Sequence, residues 1–187
     1  MKIKRLNLIL LAIFVIFFAA GPAMALTMDL QTTSTTVALG NTFKVEVWVN
    51  SEDIDEELLS FGFDVSITDG DNLSYVGYDL GTYFDDDSLL ADLDVAGSTF
   101  PGVADDDVLL ATLTFTAISI GMDNINVSGA YDEDGLSFSG LFYELNGFDI
   151  EASLDITVTT VPEPATIFLL GVGLLTFMGV SRKNIHT

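Results

Sequence analysis

Apolar residues recur at every second position through most of this chain, and that alternation constrains its fold more than any other feature. Phe43, Val45, Val47 and Val49 alternate with Thr42, Lys44, Glu46 and Trp48. Leu59, Phe61, Phe63, Val65 and Ile67 alternate with Ser60, Gly62, Asp64 and Ser66. Leu109, Ala111, Leu113, Phe115 and Ala117 form a third run against Thr112, Thr114 and Thr116. Successive side chains of a strand point to opposite faces, so each run buries one face and wets the other, as in antiparallel sheets. Shorter runs of this kind lie at Met28–Gln31, Leu73–Tyr78, Ile125–Val127, Gly140–Leu145 and Leu154–Val158. No amphipathic helix of useful length is legible.

Turn chemistry separates the runs: Leu39-Gly40-Asn41, Thr68 to Asn72, Gly97 to Gly102 with Pro101, and Asp132-Glu133-Asp134-Gly135. Eight or so short strands joined in this way predict an all-β antiparallel sandwich with jelly-roll or Greek-key wiring. Gly81–Asp107, acidic and irregular, reads as a long loop carrying one small strand.

Both ends of the 187 residues have another character. Lys2, Lys4 and Arg5 precede an apolar run from Leu8 to Ala20, then Gly21-Pro22 and the small-x-small pair Ala23 and Ala25. That order is a secretory signal peptide over residues 1–25, cleaved after Ala25, with a permanent N-terminal anchor as the alternative. A second apolar segment, Ala165 to Val180, precedes Arg182 and Lys183. As a helix its 16 residues span about 24 Å, short of the roughly 30 Å hydrocarbon core. The trailing basic pair favours the cytoplasmic side, leaving the domain between outside. Hydrophobic helices are therefore expected to flank one domain over residues 26–160, followed by a sorting segment, 161–187.

That domain holds all but one of the chain's 28 acidic residues and only Lys44 of its six basic ones, a formal charge of −26. Phosphate binding requires clustered Lys and Arg, so nucleic acid is excluded as a partner. Divalent cations, basic proteins and neutral sugars remain, as does the reading that the charge only confers solubility. The chain has no cysteine, and its one histidine, His186, lies beyond the apolar tail. The domain thus offers no disulfide, no nucleophile–histidine pair and none of the usual zinc ligands. Paired-carboxylate hydrolysis could be assigned to almost any two of so many acids, which makes the pattern uninformative. A non-catalytic protein is the expectation, and a polysaccharide-acting enzyme a remote one.

Val161-Pro162-Glu163-Pro164, the apolar segment and Arg182-Lys183 together resemble the Pro-Glu-Pro C-terminal sorting (PEP-CTERM) family. The resemblance covers roughly the last 27 residues and implies recognition by an exosortase, an integral-membrane cysteine protease-like enzyme. It implies an inner-membrane intermediate, then a cell-surface or extracellular destination, in a Gram-negative, biofilm-forming host with exopolysaccharide. Prolines at 162 and 164 forbid sheet pairing and keep the segment extended, while Glu163 supplies a charge to be read. An ordinary anchor with a proline stalk is the plainer alternative.

Thr36 to Val49, with its Val-Ala-Leu-Gly-Asn turn leading into a long strand, resembles the first block of cohesin-like domains. Leu58–Val65 and Leu109–Ala117 resemble later strands of that family. The resemblance implies a nine-stranded jelly roll related to carbohydrate-binding modules, and for cellulosomal members a dockerin partner. Asn41 stands where Asp is common, and the acidic 81–107 stretch departs from the pattern, so no dockerin-binding residues carry over.

Calcium is the candidate cofactor, because it prefers several oxygen ligands and weak sites suffice outside the cell. Candidate ligands are Asp69, Asp71 and Asn72; Asp85, Asp86 and Asp87; Asp105, Asp106 and Asp107; and Asp132 and Asp134. None of these loops completes a calcium-loop pattern, and solvated turns are the alternative. Trp48 and Tyr78, among other tyrosines, are the candidate sugar contacts, with burial of Trp48 beneath a neighbouring segment as the opposing reading.

Overall fold

The computed structural model describes residues 26–51, 55–134 and 137–160. The cleavage pair Ala23 and Ala25, both expected hydrophobic helices, and the motif residues Val161, Pro162, Glu163, Pro164, Arg182 and Lys183 lie outside them. Among the described residues no helix is long and apolar enough to cross a membrane.

The alternating runs form strands: β1 (Thr27–Gln31), β2 (Thr36–Ala38), β3 (Thr42–Asn50), β4 (Leu58–Thr68) and β5 (Leu73–Leu80). Then come β6 (Asp85–Asp86), a single helical turn α1 (Ser88–Ala91), β7 (Val95–Val103), β8 (Asp107–Ala117) and β9 (Gly121–Gly129). The last three are β10 (Gly140–Tyr143), β11 (Gly147–Phe148) and β12 (Ile150–Thr159). A four-stranded sheet runs β1-β3-β8-β5. An eight-stranded sheet runs β11-β10-β4-β9-β12-β2, with β7 on the other edge of β4 and β6 beyond it. All pairings are antiparallel except β12 with β2.

The core lies between the sheets. Val45, Val47, Val49, Leu113 and Phe115 enter it from one side, and Phe61, Phe63, Ile125, Val127 and Ile156 from the other. Phe61 stacks on Phe63 at 5.7 Å and meets the Phe84 ring edge-on at 4.9 Å, offset geometries that suit the quadrupoles of the rings.

Three sequence expectations change. In β8 the buried set is Val108, Leu110, Ala111, Leu113, Phe115 and Ala117, with Leu109 only partly buried. The β3–β8 register slips between Val47 and Trp48, so Ala111 faces Val47 while Leu109 faces Trp48. This bulge makes Leu110 and Ala111 consecutive core residues, which strict alternation forbids. In β4 a similar slip against β7 between Leu58 and Ser60 buries Leu58 in place of Leu59. The 81–107 stretch is more regular than a loop, because β7 contributes nine residues to the sheet.

The chain leaves the sandwich at opposite poles. Thr27 pairs with Asn50, and Asn50 with Asp107. At the far end of β3, Leu39 N–H donates to Thr159 O and Gly40 N–H to Ala117 O, each at 2.8 Å. Gly40 adopts φ +84° in this turn, a conformation costly for a residue with a Cβ. The nine residues of β3 separate the two poles by about 26 Å at roughly 3.3 Å per residue.

Candidate binding face

Because β3 alternates, its second set of side chains (Thr42, Lys44, Glu46, Trp48 and Asn50) faces outward from the four-stranded sheet. β1 places Asp29 opposite Trp48, Gln31 opposite Glu46 and Thr27 opposite Asn50. The half-buried Trp48 ring is held along its strand by Nε1–H donating to Glu46 Oε2 at 3.0 Å. Gln31 Nε2 donates to Asp29 Oδ2 at 2.9 Å, and Asn50 Nδ2 to Asp107 Oδ1 at 2.6 Å. Thr27, Asp29, Gln31, Trp48, Asn50 and Asp107 line a shallow open cleft of about 370 Å³. An aromatic face, two carboxamides and two carboxylates thus converge there.

Across this face Lys44 Nζ lies 3.2 Å from Asp79 Oδ2, with both groups exposed. Such a pair contributes roughly 0–1 kcal/mol. It does, however, occupy the one cation on the domain.

Tyr78 does not join Trp48. It packs against the core from β5, beyond β8. Its hydroxyl lies 2.9 Å from Asp86 Oδ2 and 2.8 Å from Ser88 Oγ. Burial pushes that hydroxyl's pKa up, with Ser88 opposing and Asp86 adding to the rise.

The acidic clusters are engaged locally. Asp86 accepts the Ser88 N–H at 3.0 Å; that bond and the Ser88 hydroxyl hold its carboxyl below the usual carboxylate range. Asp87 accepts from Ser98 Oγ, and Asp85 pairs through its backbone with Ser98. Asp105 accepts the Tyr83 hydroxyl at 2.8 Å, which raises the tyrosine's pKa. Asp106 offers its backbone carbonyl to Ser51 N–H at 2.8 Å, and Asp107 is bound by Asn50. Asp132 accepts the Asp134 N–H at 3.0 Å, an Asx turn. Asp69 and Asp71 are exposed on the β4–β5 turn. Among the described residues no three Asp, Glu, His or Cys side chains gather as a metal site.

Asn72, on the same turn, is held by Asp123. Its Nδ2 donates to Asp123 Oδ1 at 2.7 Å, while Asn72 N–H and Leu73 N–H both donate to Asp123 Oδ2 at 2.9 Å. Asp123 is 1% exposed, and these donors replace the water it has lost. The sequence signal was available: Asp123 is in phase with the core residues Ile125 and Val127. A second missed pair closes the edge of β4, where Val65 N–H donates to Asp94 Oδ2 at 2.9 Å and Asp94 N–H to Asp64 Oδ1 at 3.3 Å. There a carboxylate substitutes for a neighbouring strand's carbonyl just before β7 begins.

An apolar cleft of about 310 Å³ lies between α1 and the segment before β10, lined by Phe61, Leu90, Ala91, Ala96 and Phe138. Leu89 and Leu90 project from the helical turn beside it.

Residues 160–183 match the PEP-CTERM protein-sorting motif. They carry a sorting signal. The motif begins one residue after β12 ends at Thr159, so folded domain and signal are contiguous. No curated protein matches this sequence. Among solved structures, a cohesin module from a Clostridium perfringens family 33 glycoside hydrolase is similar in fold, at TM-score 0.53 and 9% identity. The match covers 74% of this chain and 100% of that module. A type I cohesin–dockerin complex from Clostridium thermocellum matches at 0.48 and 13%, covering 74% and 99%. A non-cellulosomal cohesin from the archaeon Archaeoglobus fulgidus matches at 0.45 and 15%, covering 76% and 96%. The first likeness establishes a cohesin-like sandwich, and at that identity it speaks for fold alone.

Proposed function

We propose that this chain is a non-catalytic surface protein, exported and then processed by an exosortase-like membrane enzyme, whose sandwich binds extracellular polysaccharide or a surface protein. The sorting motif directly after β12 carries the first half. The fold of the domain and the outward Trp48 cleft support the second. An aromatic plane flanked by Gln31, Asn50, Asp29 and Asp107 offers stacking plus donors and acceptors, the combination that recognises a sugar ring or an aromatic-poor protein edge. The carboxylates on it favour neutral or cationic ligands over anionic ones.

A dockerin-bearing partner is the second reading, favoured by the cohesin-like architecture. The mature protein would be passed over immobilised exopolysaccharide and mixed with the host's secreted proteins. Retention on the polymer that is lost in Trp48→Ala supports the sugar reading. A single captured protein, lost in the same variant, supports the second. Release of new reducing ends would overturn the non-catalytic assignment. For sorting, mature material from the native host should lack Arg182 and Lys183, and replacing Pro162 and Pro164 with Ala should leave the chain unprocessed in the membrane.

A further inference from the structure

The pole where β12 ends carries several exposed apolar side chains on a domain this acidic. The β8–β9 turn is Ile118-Ser119-Ile120, where polar or glycine-rich turn chemistry is the norm. Ile118 is 55% exposed, Ile120 54% and Met122 62%. Leu39, also exposed, joins them from the β2–β3 turn. Backbone bonds bring these residues to one place: Leu39 N–H donates to Thr159 O, Gly40 N–H to Ala117 O, and Met122 is paired with Thr157. The tip is also fixed in position. Ile118 and Ser119 N–H both donate to Asn72 O, at 2.8 and 3.2 Å, and Asn72 is itself held by the buried Asp123.

We infer that this pole rests on the lipid bilayer, with Ile118, Ile120, Met122 and Leu39 entering the interface, while the sorting segment is inserted. The inference rests on the exported, tail-inserted reading above. Its support is the place where the chain leaves the fold. From Thr159 to Ala165, where the apolar segment begins, there are six residues, a reach of at most about 20 Å. Leu39, bonded to Thr159, and Met122, paired with Thr157, lie beside that exit, whereas the Thr27 end lies at the far pole. A bilayer is therefore the first surface the cluster meets. Asp69 and Asp71 flank it on the β4–β5 turn, so a zwitterionic surface is favoured, and anionic lipid at low ionic strength should weaken the contact.

The absence of cysteine from the chain makes the test direct. Ile120→Cys, and separately Met122→Cys, would be introduced into the tail-bearing protein that precedes exosortase processing, residues 26–187, labelled with an environment-sensitive fluorophore and reconstituted in phosphatidylcholine vesicles. Phe100→Cys is the control, since Phe100 is 97% exposed and near the other pole, where Leu58 pairs with Val103. The expected result is a blue shift and quenching by brominated acyl chains at 120 and 122, with neither at 100. Vesicle flotation reports insertion of the tail independently. Flotation without quenching at either position overturns this inference alone, and failure to float overturns the inserted reading along with it. A shift at 120 that appears without lipid and grows with protein concentration would assign the patch to a second copy and overturn the bilayer contact.

Discussion

At the scale of single residues, the clearest dependence is on Asp123. Three N–H groups converge on one buried carboxylate, and the bond from Leu73 N–H is itself buried. Asp123→Ala should therefore cost about 3 kcal/mol, since each stranded buried donor costs roughly 1–3 kcal/mol. Chemical denaturation of the two proteins checks it, and a loss below about 1 kcal/mol would contradict the clamp. Tyr75 makes the opposite case. Its hydroxyl is buried with no hydrogen-bond partner among the described residues, and burial, ahead of Asp94, drives its pKa strongly upward. Removing an unpaired buried hydroxyl relieves a desolvation cost. Tyr75→Phe should melt at the same temperature as the parent or higher, and a clear drop in the melting temperature would mean that the hydroxyl has a partner. Neither residue's role was expected from the sequence, yet Asp123 was legible in principle, as a charge in phase with Ile125 and Val127. The hydroxyl of Tyr75 was not, because its surroundings come from elements remote in the chain.

At the scale of elements, alternation located β3 closely because that strand keeps its phase: Val45, Val47 and Val49 are all buried as the pattern demands. It misassigned part of β8 for a physical reason. A bulge is a property of two strands, and no one-strand pattern contains the partner's register. The slip opposite Val47 and Trp48 moves the core position from Leu109 to Leu110. The two leucines should therefore differ sharply when truncated. Leu110→Ala empties fully buried volume and should cost about 3 kcal/mol, within the range for core leucines. Leu109→Ala removes a partly wet side chain and should cost under about 1 kcal/mol. Equal costs would place the bulge elsewhere. The same limit applies to the candidate site. Trp48 was assigned correctly to the outward set of β3, but its company of Asp29, Gln31 and Asp107 depends on β1 and β8 flanking that strand. Tyr78 was grouped with it only by residue type, and a further bulge, between Tyr75 and Gly77, turns it toward the core.

At the scale of the whole molecule, charge dominates, since a domain at −26 with Lys44 as its one cation repels itself when compact. Added monovalent salt shortens the range of that repulsion, to about 8 Å at physiological ionic strength, and should raise the melting temperature. Acidification has two opposing parts. Protonating ordinary carboxylates relieves repulsion, which favours the folded state. Asp86 works the other way: its folded pKa is lowered by Ser88, so the stability it contributes is present above the ordinary carboxylate range. That contribution is lost as pH falls through the folded value. The tyrosines bound the alkaline side. Tyr78 and Tyr143 have raised folded pKa values, both chiefly through burial. Their contribution is complete below the ordinary value of 10.0 and is lost as pH rises through the folded values. Melting temperature against pH should thus be highest in mildly acidic solution, declining gently toward neutrality at low salt and steeply above about pH 10. Salt should flatten the neutral slope and leave the alkaline fall in place, because screening acts on exposed charges and not on a buried hydroxyl. Scanning calorimetry at two salt concentrations separates these effects, and a neutral slope indifferent to salt would remove self-repulsion as its cause.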